Sequence, residues 1–179
     1  MTTSPVLSDA ILEWARRAGY ELSIDQDSGA TLLWSNPGGE IRYFVRQQHD
    51  GWLVLTRASR GGDDQLKLRA ASPKVLEYAL CGVFGDAIRV ALGMRALRTP
   101  WGASDVAPGW AVIGQANNEW VLNDASGSPI VVTQGSTTAL MELVPLSNYL
   151  QLSMGELQAS FLCDNGTPLL SGGAYARLI

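Results

Sequence analysis

Histidine occurs once in this chain, at His49, and cysteine twice, at Cys81 and Cys163. That leaves no ligand set for a zinc site and no disulfide framework. Cys81 sits beside Leu80 and Val83 in a predicted helix, which suits a buried free thiol. Lysine is confined to Lys67 and Lys74, and no basic cluster exists; Arg57 and Arg60 come nearest, and Asp63 and Asp64 follow at once. With a net charge of −4 and a pI near 4.9, the chain lacks the basic stripe that neutralises phosphates, so no nucleic acid is expected as partner. Neither a basic, apolar leader nor an apolar run long enough to span a bilayer is present. The expected location is cytoplasmic, with no membrane partner. The catalytic signatures are missing as well: no Gly-x-Ser-x-Gly elbow, no Gly-x-Gly-x-x-Gly and no phosphate-binding loop ending in Gly-Lys-Ser/Thr. Asn165-Gly166-Thr167 fits a glycosylation pattern, but without a secretion signal it reads as a turn.

What is present is an ordinary globular composition rich in large rings. Hydrophobic residues make up 46% of the 179 positions, charged residues 17%, and there are six Trp and five Tyr. This length suits one domain, 1–179, or two lobes sharing a core.

The pattern predicts an α+β fold: an antiparallel β-meander with packed helices. Ser8 caps a first helix whose apolar face is Leu7, Ile11, Trp14, Ala15 and Ala18, and Gly19 ends it. Strands are expected at 20–24, 31–34, 40–46 and 52–57, with Gly-rich or Asp-rich turns between them. In the third, Ile41, Tyr43 and Val45 alternate with Arg42, Phe44 and Arg46. A flexible polar loop follows at 59–64, then an edge strand at 66–69. Ser72-Pro73 starts a second helix, and Gly85 ends or kinks it. Residues 95–109, with Pro100, Gly102 and Pro108, mark the seam if there are two lobes. Short strands are expected at 110–114, 120–123 and 130–133. The run 139–144 reads as strand in preference to helix, and Pro145 opens a short helix through Tyr149. Ser153 and Glu156 form a capping box ahead of the stripe Met154, Leu157, Phe161.

Few of these residues carry chemistry. His49 stands beside Asp50-Gly51 at a hairpin tip. A catalytic His–Asp pair is conceivable, but a catalytic base needs a nucleophile and a cleft around it, and the reading preferred is an exposed turn residue. The carboxylates are scattered. Glu40 and Arg42 share one strand face and are expected to pair. Trp34 and Trp52 are expected to pack across strands. Trp101, in the irregular segment, is the best exposed-aromatic candidate for a contact. The residues alone therefore describe a soluble α+β domain with no catalytic residue, no cofactor and no metal, and not an enzyme.

An ordered set of short pieces adds to this. Leu32-Leu33-Trp34, the run from Gly38 to Val45, and Gly51-Trp52-Leu53-Val54-Leu55-Thr56 are the first. Ala70-Ala71-Ser72, Tyr78, Gly82-Val83-Phe84-Gly85, Pro100 and Ile113-Gly114 continue it. Leu146-Ser147-Asn148-Tyr149-Leu150, Ser160-Phe161-Leu162, Asp164 and Gly166-Thr167-Pro168-Leu169 close it. Together they resemble the immunity protein 61 family of actinobacterial toxin systems. Thr167 and Leu170 depart from that pattern, and so does the loop 59–65. The resemblance implies an antitoxin-like inhibitor, itself without catalytic residues or cofactor. Such an inhibitor binds the cognate toxin domain, an NAD-glycohydrolase, one-to-one and blocks its active site. A non-enzymatic adaptor or chaperone-like partner of another secreted effector is the alternative. An NAD-cleaving site accepts a pyrophosphate, so Asp63 and Asp64 could act there as phosphate mimics. The expected toxin contacts are Arg60, Gly61, Gly62, Asp63, Asp64 and Trp101.

Overall fold

The hydroxyl of Ser8 accepts the Ile11 N–H and so caps α1 (Asp9–Arg17). Glu77 of α2 (Pro73–Ala91) in turn accepts from the Ser8 N–H (2.6 Å) and hydroxyl (2.9 Å), which ties the start of α1 to α2. Ser72 caps α2, with Pro73 at its first position, where the missing N–H costs nothing. This is a computed structural model, and it describes residues 7–35 and 37–176.

Eight strands form one sheet. The first five run as a meander: β1 (Tyr20–Ile24), β2 (Thr31–Ser35), β3 (Ile41–Gln47), β4 (Leu53–Ser59) and β5 (Gln65–Ala70). A second meander, β6 (Ala111–Gly114), β7 (Glu119–Asn123) and β8 (Pro129–Gln134), joins it through β8, giving the order β1-β2-β3-β4-β5-β8-β7-β6, antiparallel throughout. The join is narrow: Arg69 lies opposite Val132 and Ala70 opposite Val131. The Thr133 hydroxyl extends it by donating to the Lys67 carbonyl (2.6 Å), while the Lys67 ammonium meets Glu142. Residues 95–109 connect α2 to the second meander. The two meanders share one sheet and one continuous apolar core.

Helices α1, α2, α3 (Ser136–Tyr149) and α4 (Met154–Leu162) pack together over one face of that sheet. Tyr20 and Tyr43 bring their rings to Phe84 of α2, at 5.0 and 6.3 Å between centroids. Around them Val45, Leu53, Leu55, Leu68, Ala70, Leu122 and Val131 fill the sheet side of the core. A final hairpin, β9 (Leu170–Ser171) with β10 (Ala174–Tyr175), closes on the helical layer through Tyr175, whose hydroxyl donates to the Pro100 carbonyl (2.7 Å).

Five expectations change here. The strand at 66–69 is not an edge: β5 is paired on both sides, and β1 and β6 are the sheet's edges. The run 139–144 is helical, and Pro145 lies inside α3 without opening a new helix. That helix is buried against both the second meander and α2, so its apolar residues show no single stripe. Gly85 neither ends nor kinks α2; it lets another helix approach. The loop at 59–64 begins as a tight turn: Arg60 (φ 51°) and Gly61 (φ 79°) are both left-handed, and the Gly62 N–H returns to the Ser59 carbonyl (3.0 Å). This is the backbone of a type I′ hairpin turn, with an arginine where asparagine or glycine is the usual choice. Trp34 and Trp52, finally, do not pack on each other. Trp34 lies opposite Arg42 near the end of the sheet that carries this hairpin, and Trp52 enters β4 at the other end.

Candidate functional site

Opposed residues of an antiparallel pair share a face. Leu32 lies opposite Phe44, Trp34 opposite Arg42, Arg46 opposite Val54, and Val54 opposite Arg69. These residues alternate with the core set, so they point away from the helices. Among the described residues, no helix lies over them.

The composition of this face is unusual for a merely solvated one. Phe44 is flanked by two arginines of its own strand, with Arg46 at 5.0 Å and Arg42 at 6.0 Å from the ring centroid. Arg69 lies 5.4 Å from the Trp52 ring. Trp34, Arg42, Phe44, Arg46, Trp52, Val54 and Arg69 are all half-buried, their stems and rings covering one another across the strands. A guanidinium over a ring contributes about 0.5–1 kcal/mol at such exposed sites.

The three arginines differ in their charge partners. Arg46 pairs with Asp64 at 2.9 Å, and Asp64 also accepts from the Thr56 hydroxyl (2.7 Å). The Thr56 hydrogen bond, followed by that from Arg46, holds the Asp64 carboxyl below the usual carboxylate range. A depressed value means this tie is present at neutral pH and is lost as the pH falls through the folded-state value. Arg69 pairs with Asp50 at 3.2 Å. Arg42 has no carboxylate within salt-bridge distance among the described residues, and its Nε is buried without a hydrogen-bond partner. The Nε of Arg69 is likewise buried and unpartnered.

The residues singled out in the sequence fall in several places. Glu40 lies outside β3, where its carbonyl accepts the Arg60 N–H (2.8 Å); the expected pair with Arg42 does not form, because Arg42 lies over Phe44. His49 is exposed in the β3–β4 turn, and its neighbour Asp50 is committed to the Trp52 N–H (3.0 Å) and to Arg69. Arg60, Gly61, Gly62 and Asp63 are exposed in the β4–β5 hairpin at one end of the uncovered face. Asp64 folds back from that hairpin onto Arg46, while Asp63 has no ion-pair partner among the described residues. Trp101 is 46% exposed but belongs to the helical side. There its neighbour Pro100 meets Tyr175, and Gly102 donates to Asp105 (2.9 Å). The structure does not bring Trp101 to the hairpin.

Near Trp101 a cleft of about 450 Å³ opens between Ser104–Val106, the end of α3 and the final hairpin. Its polar groups serve the fold: the Asn148 amide donates to the carbonyls of Asp105 (2.9 Å) and Val144 (3.0 Å). Burial pushes the Cys81 thiol up to about 12, so it is an inert core group. No described helix is long and apolar enough to cross a membrane. The described residues hold no metal-binding group of three or more His, Cys, Asp or Glu.

The sequence reading missed the Arg42–Phe44–Arg46 and Trp52–Arg69 stacks. A signal was available. The off-core positions of β3 are Arg, Phe and Arg, where a merely wet strand face tends to carry small polar residues.

Comparison with known proteins adds the family. The model of immunity protein 61 matches residues 14–169. "Immunity factor for TNT" of Mycobacterium tuberculosis is 32% identical over 178 residues, covering 96% of each chain. "Immunity factor for TNT homolog" of Mycobacterium bovis gives the same figures. A solved structure, "Rv3902c from M. tuberculosis", superposes with a TM-score of 0.79 at 31% identity, covering 91% of this chain and 92% of that one. A likeness this long reaches both meanders and all four helices, and the chain belongs to the immunity protein 61 family.

Proposed function

We propose that this chain inhibits a toxin by binding the toxin's catalytic domain in the cytoplasm, one-to-one, and closing its active site. The toxin we infer is an NAD-glycohydrolase, and the chain contributes surface and no chemistry of its own. The observation that carries this reading is the likeness, over 96% of the chain, to relatives named "Immunity factor for TNT" and its homolog. A specific interface of about 1,600 Å² is sufficient, with affinity concentrated in a few anchors.

Expressing the cognate toxin domain should deplete cellular NAD, and co-expressing the chain should restore it. The purified pair should co-elute on gel filtration as a one-to-one complex. Absence of binding at micromolar concentration, or continued NAD loss despite a folded inhibitor, would refute the proposal.

The β4–β5 hairpin enters as a contact through Asp63. Asp64 already serves Arg46, which leaves Asp63 as the hairpin carboxylate free to meet a phosphate-binding site. Asp63→Ala should raise the Kd of the toxin complex about tenfold, close to 1.4 kcal/mol. The melting temperature should not change, since the side chain is exposed and forms no ion pair among the described residues. Unchanged affinity by calorimetry would remove Asp63 from the interface.

A further inference from the structure

We infer that the uncovered sheet face centred on Arg42 and Phe44 is the surface on which the toxin docks, and that Arg42 receives a toxin carboxylate there. The inference rests on the toxin-inhibitor reading above and names the surface and the chemistry that reading leaves open.

Three observations converge. The face carries the residue types that dominate binding energy, arginine and large aromatics, already half-ordered by stacking: Arg42 and Arg46 flank Phe44, and Arg69 stacks on Trp52. Side chains held this way lose little rotamer freedom on association, which lowers the entropic cost of binding. The second observation is charge. Arg46 and Arg69 are neutralised within the chain by Asp64 and Asp50, whereas Arg42 is not. Its Nε, like that of Arg69, is buried without a hydrogen bond, but unlike Arg69 the Arg42 side chain meets no carboxylate among the described residues. A guanidinium is built to take a carboxylate through two parallel hydrogen bonds, and stacking on a ring leaves that geometry open. The third is contrast with the rest of the molecule. The chain carries a net charge of −4, so an uncompensated cation set among half-buried rings on this sheet face is a local feature on an acidic protein. A partner surface presenting a carboxylate between apolar side chains complements it; a polyanion such as nucleic acid does not, because the surroundings repel it.

The test uses the full chain and a catalytically inactive form of the cognate toxin domain, with Kd read by titration calorimetry. Arg42→Glu reverses the charge and should raise Kd by at least about tenfold, and Arg42→Gln by a smaller factor. Each should lower the melting temperature by no more than about 4 °C, the scale of the lost stack on Phe44, because Arg42 forms no salt bridge and its Nε no hydrogen bond among the described residues. If Arg42→Glu disturbs the sheet, the neutral Arg42→Gln carries the test by itself. Val90→Glu places the same new charge on the helical side, at a residue 74% exposed on α2, and should leave Kd unchanged. Wild-type binding with both Arg42 variants within about twofold of it would overturn the docking surface while leaving the toxin reading intact. A larger loss from Val90→Glu than from Arg42→Glu would move the interface to the helices. If the wild-type chain does not bind the toxin at all, the toxin reading fails and this inference falls with it.

Discussion

Replacing Gly85 by alanine is expected to destabilise the protein by about 3 kcal/mol, although the same change in an exposed helix stabilises by about 1 kcal/mol. The sign reverses because of what the new methyl would meet. A Cβ built at Gly85 falls 2.3 Å from Cγ of Phe161, and 2.5 and 2.6 Å from the two Cδ atoms of that ring. Phe161 is fully buried in α4 and packs edge-on against Tyr149 at 5.9 Å, so it has no free volume into which to retreat. Gly82, one turn earlier, stands in the same relation to Tyr149, with its Cβ position 2.8 Å from the ring. The two glycines let α2 approach the rings of α3 and α4 closely. Gly155, also helical, has nothing within 4 Å of its Cβ position. Gly155→Ala should therefore stabilise, by up to about 1 kcal/mol. Thermal and urea unfolding of the two variants provides the measurement. Adding Phe161→Leu to Gly85→Ala should recover part of the loss, and that coupling would separate a steric clash from a backbone effect. A Gly85→Ala protein as stable as wild type would show that α2 and α4 can part without cost.

Replacing Arg89 by methionine is expected to cost about 4 kcal/mol, the scale for removing a buried charge's hydrogen-bonding network. Arg89 is 1% exposed near the end of α2. Its guanidinium donates to four carbonyls: Arg95 (2.7 Å), Phe161 (2.9 Å), Cys163 (2.8 Å) and Asp164 (3.2 Å). Three of these belong to the end of α4 and the turn after it, where helix carbonyls lack intrahelical partners. Arg89 thus supplies from another helix the donors that α4 needs at its C-terminus, and the negative end of the helix dipole favours a cation there. Methionine keeps the apolar stem and strips every donor, leaving those carbonyls unpaired. Lysine keeps the charge without the planar fork, so Arg89→Lys should fall between wild type and Arg89→Met. For a chain of this length, the methionine variant should melt roughly 8–16 °C lower. A drop of less than about 3 °C would mean that water replaces the guanidinium without penalty.

Both predictions concern residues that looked bland in the sequence, and the reason is general. Helix caps and turns depend on neighbours a few positions away, so Ser8, Ser72, and the Ser153–Glu156 box were legible, and each is formed. The alternation of β3 is equally local: of the face it marked as Ile41, Tyr43 and Val45, Tyr43 and Val45 are buried in the core and Ile41 is half-buried at its margin. The family resemblance was legible too, because an ordered series of short pieces survives where no single motif does. Strand order was not. Whether β5 is an edge depends on β8, more than 50 residues later, and on the two pairs that join them. The helical state of α3 was hidden because burial on two sides erases the stripe that marks a helix. Gly85 is read as a breaker until the ring of Phe161 is seen against it, and the matching role of Gly82 against Tyr149 has no local signal. The same holds for the candidate interface. The sequence by itself determined the helix caps, the strands of the first meander, the short strands after residue 109 and the absence of a catalytic motif. Only the tertiary structure decided that the helices gather on one face, which leaves Arg42, Phe44 and Trp52 on the other, because side-chain stacking and charge pairing are set by distances through space that sequence spacing does not fix.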